Sequence, residues 1–110
     1  MENKIIKILI LGVGQIGSRH LEGAVKNKKQ LSIIVVDKYY EAFKFSKSLV
    51  KKKNFGNPLT KVAYKEKIPE GKNFDICIIS TRADIRAKIT IDLLNKCETK
   101  FIIFEKVLFQ

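Results

Sequence analysis

The 110 residues predict an α/β domain: a doubly wound parallel sheet of about five strands in three layers, with helices on both faces. Three observations predict it. Short, nearly unbroken apolar runs alternate with amphipathic stretches along the whole chain. The first run, Ile8-Leu9-Ile10-Leu11, feeds straight into three glycines spaced G-x-G-x-x-G (Gly12, Gly14, Gly17) and then into a helical pattern. The second run ends on an acid, Asp37, about 20 residues past the last glycine.

Lys4 to Leu11 reads as the first strand, because near-continuous Ile and Leu suit a strand covered on both faces. The first helix is expected from about Gln15 to Lys28. Ile16, Leu21, Ala24 and Val25 fall on one of its faces, and Glu22, Lys26 and Lys28 largely on the other. His20 lies four residues from both Ile16 and Ala24, so it is expected to point toward the sheet as a packed, hydrogen-bonded side chain. Leu31 to Asp37 is the second strand. The second helix is expected from about Tyr39 to Lys52, burying Ala42, Phe43, Ser46, Leu49 and Val50, with Asn54-Phe55-Gly56-Asn57-Pro58 as its stop. The aromatic stripe Tyr39, Tyr40, Phe43, Phe45 reads as core and rim packing.

Thr60 to Tyr64 is a short third strand. The nine-residue link Lys65 to Asn73 is short for a parallel crossover, which normally takes a dozen residues or more, so at most one helical turn is expected there. Phe74 to Ser80 is the fourth strand. Thr81 and Asp84 are spaced as in a capping box at the start of a third helix, whose buried stripe is Ile85, Ile89, Leu93 and Cys97. Lys100 to Phe104 is the fifth strand and leads into Glu105-Lys106.

Apolar residues make up 45% of the chain, an ordinary globular fraction, and the length suits one domain with one core. No apolar run approaches the ~20 residues that span a bilayer, and the opening Met1-Glu2-Asn3-Lys4 lacks a signal-peptide layout, so a cytoplasmic protein without a membrane partner is expected. The net charge of +11 invites a nucleic-acid reading. Against it, the excess is almost all lysine, with only Arg19, Arg82 and Arg86 as arginines, whereas base- and phosphate-forking sites favour arginine. The lysines are also scattered, apart from Lys51-Lys52-Lys53, so a solvated basic surface is expected and no nucleic-acid partner. Cys77 and Cys97 read as buried or half-buried free thiols. With His20 as the sole histidine, neither a histidine metal cluster nor a conventional Ser-His-Asp triad can be assembled, and no metal is expected.

The glycine turn carries the chemistry. Gly12 permits a tight turn off the strand, Gly14 has no side chain to hold a pyrophosphate away from the backbone, and Gly17 lets the new helix lie close against the sheet. The helix N-terminus then offers free N–H groups and a positive dipole end to the phosphates. Asp37 is placed to bind the adenosine ribose hydroxyls. Its charge would oppose a 2′-phosphate, so NAD is expected over NADP, with Lys38 beside it softening the discrimination.

The G-x-G-x-x-G-x-x-H start (Gly12, Gly14, Gly17, His20), Asp37, the Ser80-Thr81 pair and Glu105-Lys106 together resemble the Gfo/Idh/MocA oxidoreductases. That family is named for glucose–fructose oxidoreductase, inositol dehydrogenase and a rhizopine-catabolism protein. The resemblance covers essentially the whole chain but only the family's cofactor domain. Members are about three times this long, with a second domain that carries the substrate pocket and the acid/base residues. The resemblance implies the Rossmann-like cofactor part of an NAD-dependent oxidoreductase acting on a sugar, polyol or sugar nucleotide, with oligomerisation through the second domain. The implied cofactor-binding residues are Gly12, Gly14, Gln15 and Ile16 (through backbone N–H groups), Gly17, Asp37, Lys38, Ser80, Thr81, Arg82 and Glu105. Thr81 is implied near the nicotinamide half, and Lys106 as an active-site lysine, the second residue of the family's Glu-Lys-Pro motif. Two departures stand out: Val107 replaces that proline, and Arg82-Ala83 replaces a Pro-Asn-like pair.

On the same reading, residues 1–110 are expected to be a truncated piece of a longer protein, with a natural protein of this length as the alternative; the closing Val107-Leu108-Phe109-Gln110 resembles residues left by a picornaviral 3C-type protease, from a chain cut short or cleaved at an internal site. A second class shares the glycines and the acid: regulatory nucleotide-sensing domains, like the small Rossmann modules that gate potassium transport. Glu105-Lys106 has no evident place in that class.

Overall fold

The alternation in the sequence folds into a five-stranded sheet in which every strand pair is parallel. The computed structural model describes residues 4–12 and 15–105, apart from the side chains of Gln15, Ile16 and Tyr40. The strands are β1 (Ile6–Leu11), β2 (Leu31–Val36), β3 (Lys61–Lys65), β4 (Lys72–Ile79) and β5 (Cys97–Phe104). The helices are α1 (Gln15–Val25), α2 (Tyr40–Leu49) and α3 (Ala83–Lys96), with a 3₁₀ turn at Lys52–Asn54. The spatial order is β3-β2-β1-β4-β5, a Rossmann-like doubly wound arrangement. The apolar β1 runs through the middle, with Ile8 opposite Ile33 on one side and Ile76 on the other. No helix among the described residues is long and apolar enough to cross a membrane.

Two cores follow from covering both faces of the sheet. Ile8, Ile10, Ile33 and Val35 pack against Leu21 and Val25 of α1 and Phe43 of α2. Leu9, Leu11, Val36, Cys77 and Ile79 pack on the opposite face against Leu93 of α3. Alternating residues of β1 thus enter different cores, which explains why the strand reads as an unbroken apolar run.

Several boundaries differ from the sequence reading. The second helix ends at Leu49, before the expected stop; Val50 is extended, its N–H still bonded to Ser46 O, and Lys51-Lys52-Lys53 lies beyond the helix end, partly in the 3₁₀ turn. The link between β3 and β4 is shorter than expected, residues 66–71, and contains no helix. Ile68 anchors it in the core, while the Pro69 carbonyl accepts a hydrogen bond from Cys97 Sγ and the Gly71 N–H donates to Lys96 O. The Thr81–Asp84 capping box does not form: α3 starts two residues after Thr81, its N-cap is Arg82, and no side chain caps it. Asp84 is taken by Arg82 instead, which offers two charged N–H donors where a capping box offers one backbone amide. In the expected α3 stripe only Leu93 is fully buried; Ile85 is exposed and Cys97 has already entered β5.

Both cysteines are buried and free. Burial, with a further push from Cys97, drives the Cys77 thiol up to about 12, so it stays protonated and inert at neutral pH.

At the amino end of the sheet, Asp75 ties three strands or strand approaches together. It accepts the Lys7 N–H at 2.8 Å and lies 3.3 Å from Lys100 Nζ and 3.8 Å from Lys4 Nζ. The Lys7 hydrogen bond, helped by Lys100 and Lys4, holds its carboxyl below the usual carboxylate range. A folded-state value below the unfolded one stabilises the fold above the ordinary carboxylate range and loses that contribution as pH falls through it. The expected result is a denaturation midpoint that drops between about pH 5 and about pH 2. Asp75→Asn should flatten that drop in urea titrations across this range; an equally steep drop in the variant would place the acid sensitivity elsewhere.

Candidate functional site

Strand order reverses at β1, so the chain leaves β1 toward one edge of the sheet and returns to β4 on the other side. At such a reversal the connections diverge and leave a crevice beyond the carboxyl ends of the strands. Backbone hydrogen bonds knit those ends together here. Gly12 N–H donates to Val36 O and Ser80 N–H to Leu11 O, both at 2.8 Å, and Asp37 N–H donates to Lys65 O at 3.2 Å. Gly12, Asp37 and Ser80 are therefore held side by side.

The turn off β1 depends on what its glycines lack. Gly12 sits at φ +89°, and a Cβ there would come within 3.2 Å of the Ser80 carbonyl. A Cβ on Gly17 would collide with the Gly12 carbonyl oxygen, so α1 rests directly on the end of β1. The first turn of α1 carries no acidic residue, which leaves its positive dipole end unopposed by its own side chains.

These elements border a cleft of about 860 Å³ lined by Gly12, Asp37, Lys38, Tyr39, Ser80, Thr81 and Arg82 at its mouth. Ile68 from the β3–β4 link and Ile85 and Ile89 of α3 line it as well. Asp37 is set by its own turn: its Oδ1 accepts the Tyr39 N–H at 2.9 Å. Lys38 Nζ lies 5.2 Å from the centre of the Tyr39 ring. Thr81 is only 8% exposed. The hydroxyls of Ser80 and Thr81 are both buried and have no hydrogen-bond partner among the described residues. A buried hydroxyl without a partner costs about 1–3 kcal/mol; Ser46 Oγ and Arg86 Nε, away from the cleft, are in the same position.

The cleft does not gather every residue expected from the sequence. It brings together Gly12, Asp37, Lys38, Ser80, Thr81 and Arg82, and Gly17 packs behind Gly12. Arg82 already spends two donors on Asp84, at 3.1 and 2.7 Å, a pairing that raises the guanidinium's pKa and lowers the carboxyl's. Glu105 does not line the cleft. Its N–H donates to Ile79 O at 2.9 Å, its carbonyl accepts Arg86 Nη2 at 2.9 Å, and its carboxylate lies 3.2 Å from His20 Nε2. His20, about one-third exposed, thus joins α1 to the end of β5, a largely packed and partnered side chain as the sequence leads one to expect. Gln15 and Ile16 open α1, so their backbone N–H groups belong to its first turn. Gly14 and Lys106 lie outside the described residues.

The sequence reading missed this apolar lining and assigned Tyr39 to packing, although Tyr39 is 62% exposed at the mouth of the cleft. Ile68 carried a signal, as the one large apolar residue in the charged stretch Lys65-Glu66-Lys67-Ile68-Pro69-Glu70. Among the described residues no group of three or more His, Cys, Asp or Glu could hold a metal ion. Comparison of the chain with protein-family models, with curated proteins and with solved structures gives no match.

Proposed function

We propose that this domain binds NAD across the carboxyl edge of its sheet and is the cofactor-binding part of an NAD-dependent oxidoreductase of the Gfo/Idh/MocA kind, acting on a sugar, polyol or sugar nucleotide. The observation that carries the proposal is the convergence of the glycine turn, Asp37 and two unpartnered buried hydroxyls on one cleft at the strand-order reversal. The donor set fits a dinucleotide. Gly12 and the acid-free first turn of α1 suit the pyrophosphate, Asp37 suits the adenosine ribose, and Ser80 and Thr81 suit polar groups at the nicotinamide end. When bound, NAD supplies the acceptor for hydride from the substrate carbon, and the protein supplies position.

The described residues of the chain bind and orient. Asp37 is fixed by Tyr39 N–H before any ligand arrives, so little ordering is left to do on binding. Removing an alcohol proton takes a base within hydrogen-bond reach of the substrate. Asp37 belongs to the ribose end in this reading, and Glu105 is engaged with His20 outside the cleft. Residues 1–110 are therefore expected to bind NAD measurably and to reduce none of it with a panel of sugars, inositols and sugar nucleotides. Gly14→Val is expected to abolish that binding while leaving the circular dichroism spectrum unchanged. Robust turnover by residues 1–110 would overturn the two-domain reading, and unchanged NAD affinity in Gly14→Val would remove the glycine turn from the site.

A further inference from the structure

The two edges of the sheet are not alike. β3, at one edge, is five residues long and carries a lysine at each end, Lys61 and Lys65. Short edge strands and edge lysines are how sheets discourage a further strand from adding. β5, at the other edge, is eight residues long and ends in an unbroken apolar run, Phe101-Ile102-Ile103-Phe104. Its single lysine, Lys100, is drawn to Asp75 at 3.3 Å. Among the described residues no strand pairs with the outer side of β5, so its outward N–H and C=O groups stand ready for one.

The apolar run is exposed on both faces of the sheet. Phe101 and Ile103 pair with Ile76 and Ile78 and so lie on the α1 face, yet they belong to neither core and are 68% and 45% exposed. On the α3 face Phe104 is half exposed, and Leu94, next to the buried Leu93, is exposed on the flank of α3 away from the cleft. These four side chains leave on the order of 400 Å² of apolar surface uncovered along one edge. That is about half of the ~800 Å² that each partner buries in a standard interface. The edge is also nearly neutral, in a chain of net charge +11. Lys100 is offset by Asp75 and Lys96 by Asp92, each at 3.3 Å, and Glu98 is exposed beside them.

We infer that β5 is a self-association edge: two copies of this chain pair their β5 strands antiparallel about a two-fold axis, joining two five-stranded sheets into one. A free backbone edge selects a strand as its occupant, and a two-fold axis makes one patch complementary to itself. Pairing centred on Ile102 sets Phe101 of each copy opposite Ile103 of the other, two aromatic–β-branched pairs on the open face. Lys100 then falls opposite Phe104, so no like charges meet along the strand. Each copy spends its β5 edge once and lysines guard the β3 edge, so assembly closes at two. The net charge of each copy still repels at long range, so the dimer should tighten as salt rises.

Sedimentation velocity on residues 1–110, from about 1 μM to about 500 μM, should show a reversible monomer–dimer equilibrium with micromolar dissociation. Phe101→Lys, and separately Ile103→Lys, should each weaken the dimer about tenfold. Ala63→Lys on the β3 edge adds the same charge and should leave it unchanged. All three positions are exposed, and melting curves establish that each variant is folded. Hydrogen exchange gives a second reading: β5 amides should exchange more slowly at high concentration, and β3 amides should not. A monomer at every concentration would overturn the inference and leave the edge to a strand of another protein. So would a dimer lost in Ala63→Lys but kept in Phe101→Lys, growth beyond two copies, or a dimer that salt dissolves. No residue of β5 lines the cleft, so an NAD titration of Phe101→Lys reads the cofactor proposal separately.

Discussion

Gly17→Ala is expected to destabilise the domain by about 3 kcal/mol, because the added methyl runs into the backbone of Gly12. The new Cβ would strike the carbonyl oxygen of Gly12, and Ser80 Cβ stands 3.6 Å away behind it. No flexible side chain is there to move, so α1 must lift from the end of β1 and from the core that Leu21 and Val25 share with Ile8 and Ile10. For a domain of this size the melting temperature should fall by about 15 °C. Gly23→Ala is the matched control in the same helix. Nothing lies within 4 Å of a Cβ there, so the change should stabilise by roughly 0.5–1 kcal/mol through backbone entropy alone. Urea denaturation of both variants checks the pair. A Gly17→Ala protein as stable as the parent would mean that α1 does not rest on the strand as described.

The second large effect is on cofactor choice. NAD should bind tighter than NADP by about tenfold, because a 2′-phosphate at the ribose end meets the Asp37 carboxylate. Tyr39 N–H pins that carboxylate at 2.9 Å, so it cannot simply turn away from a second negative charge. Lys38, exposed one residue later, limits the penalty. Asp37→Asn keeps the side-chain oxygen for Tyr39 N–H and removes the charge, so it should erase most of the preference, chiefly by improving NADP. Calorimetric titration of both cofactors against both proteins decides it. Tighter NADP binding by the parent chain would show that Asp37 does not face the ribose.

Much of this fold was legible because burial on both sides leaves a plain mark. Ile8 to Leu11 and Leu31 to Val36 are apolar at nearly every position, as only a strand between two helical layers needs to be. Gly12 and Gly17 were legible for a similar reason: a positive φ and a helix seated directly on a strand each exclude a side chain. The start of α3 was not. Thr81 and Asp84 have capping-box spacing, but the competing partner, Arg82, stands between them and is stronger. The second helix ended early because a propensity pattern does not register where the sheet stops supporting a helix, and Asn54 to Pro58 marked only the last possible stop. The expectation of a packed, partnered His20 holds, but not all of it was legible. Its spacing from Ile16 and Ala24 gave the correct helix face, but the partner that holds it, Glu105, is 85 residues away in the chain and no local pattern reveals it. The apolar lining of the cleft was hidden likewise, since Ile68 and Ile85 meet only after the link has crossed the sheet.

The central claim is that the glycine turn, Asp37 and the Ser80-Thr81 hydroxyls form one NAD site. Titrating the ¹⁵N-labelled chain with NAD and following its amide resonances tests this most directly. Saturable shifts should concentrate at Gly12, Gly17, Asp37, Ser80 and Thr81, while Asp75 and Lys100, at the amino end of the sheet, stay still. Unchanged resonances at millimolar NAD, or shifts confined to the Asp75–Lys100 end, would contradict it.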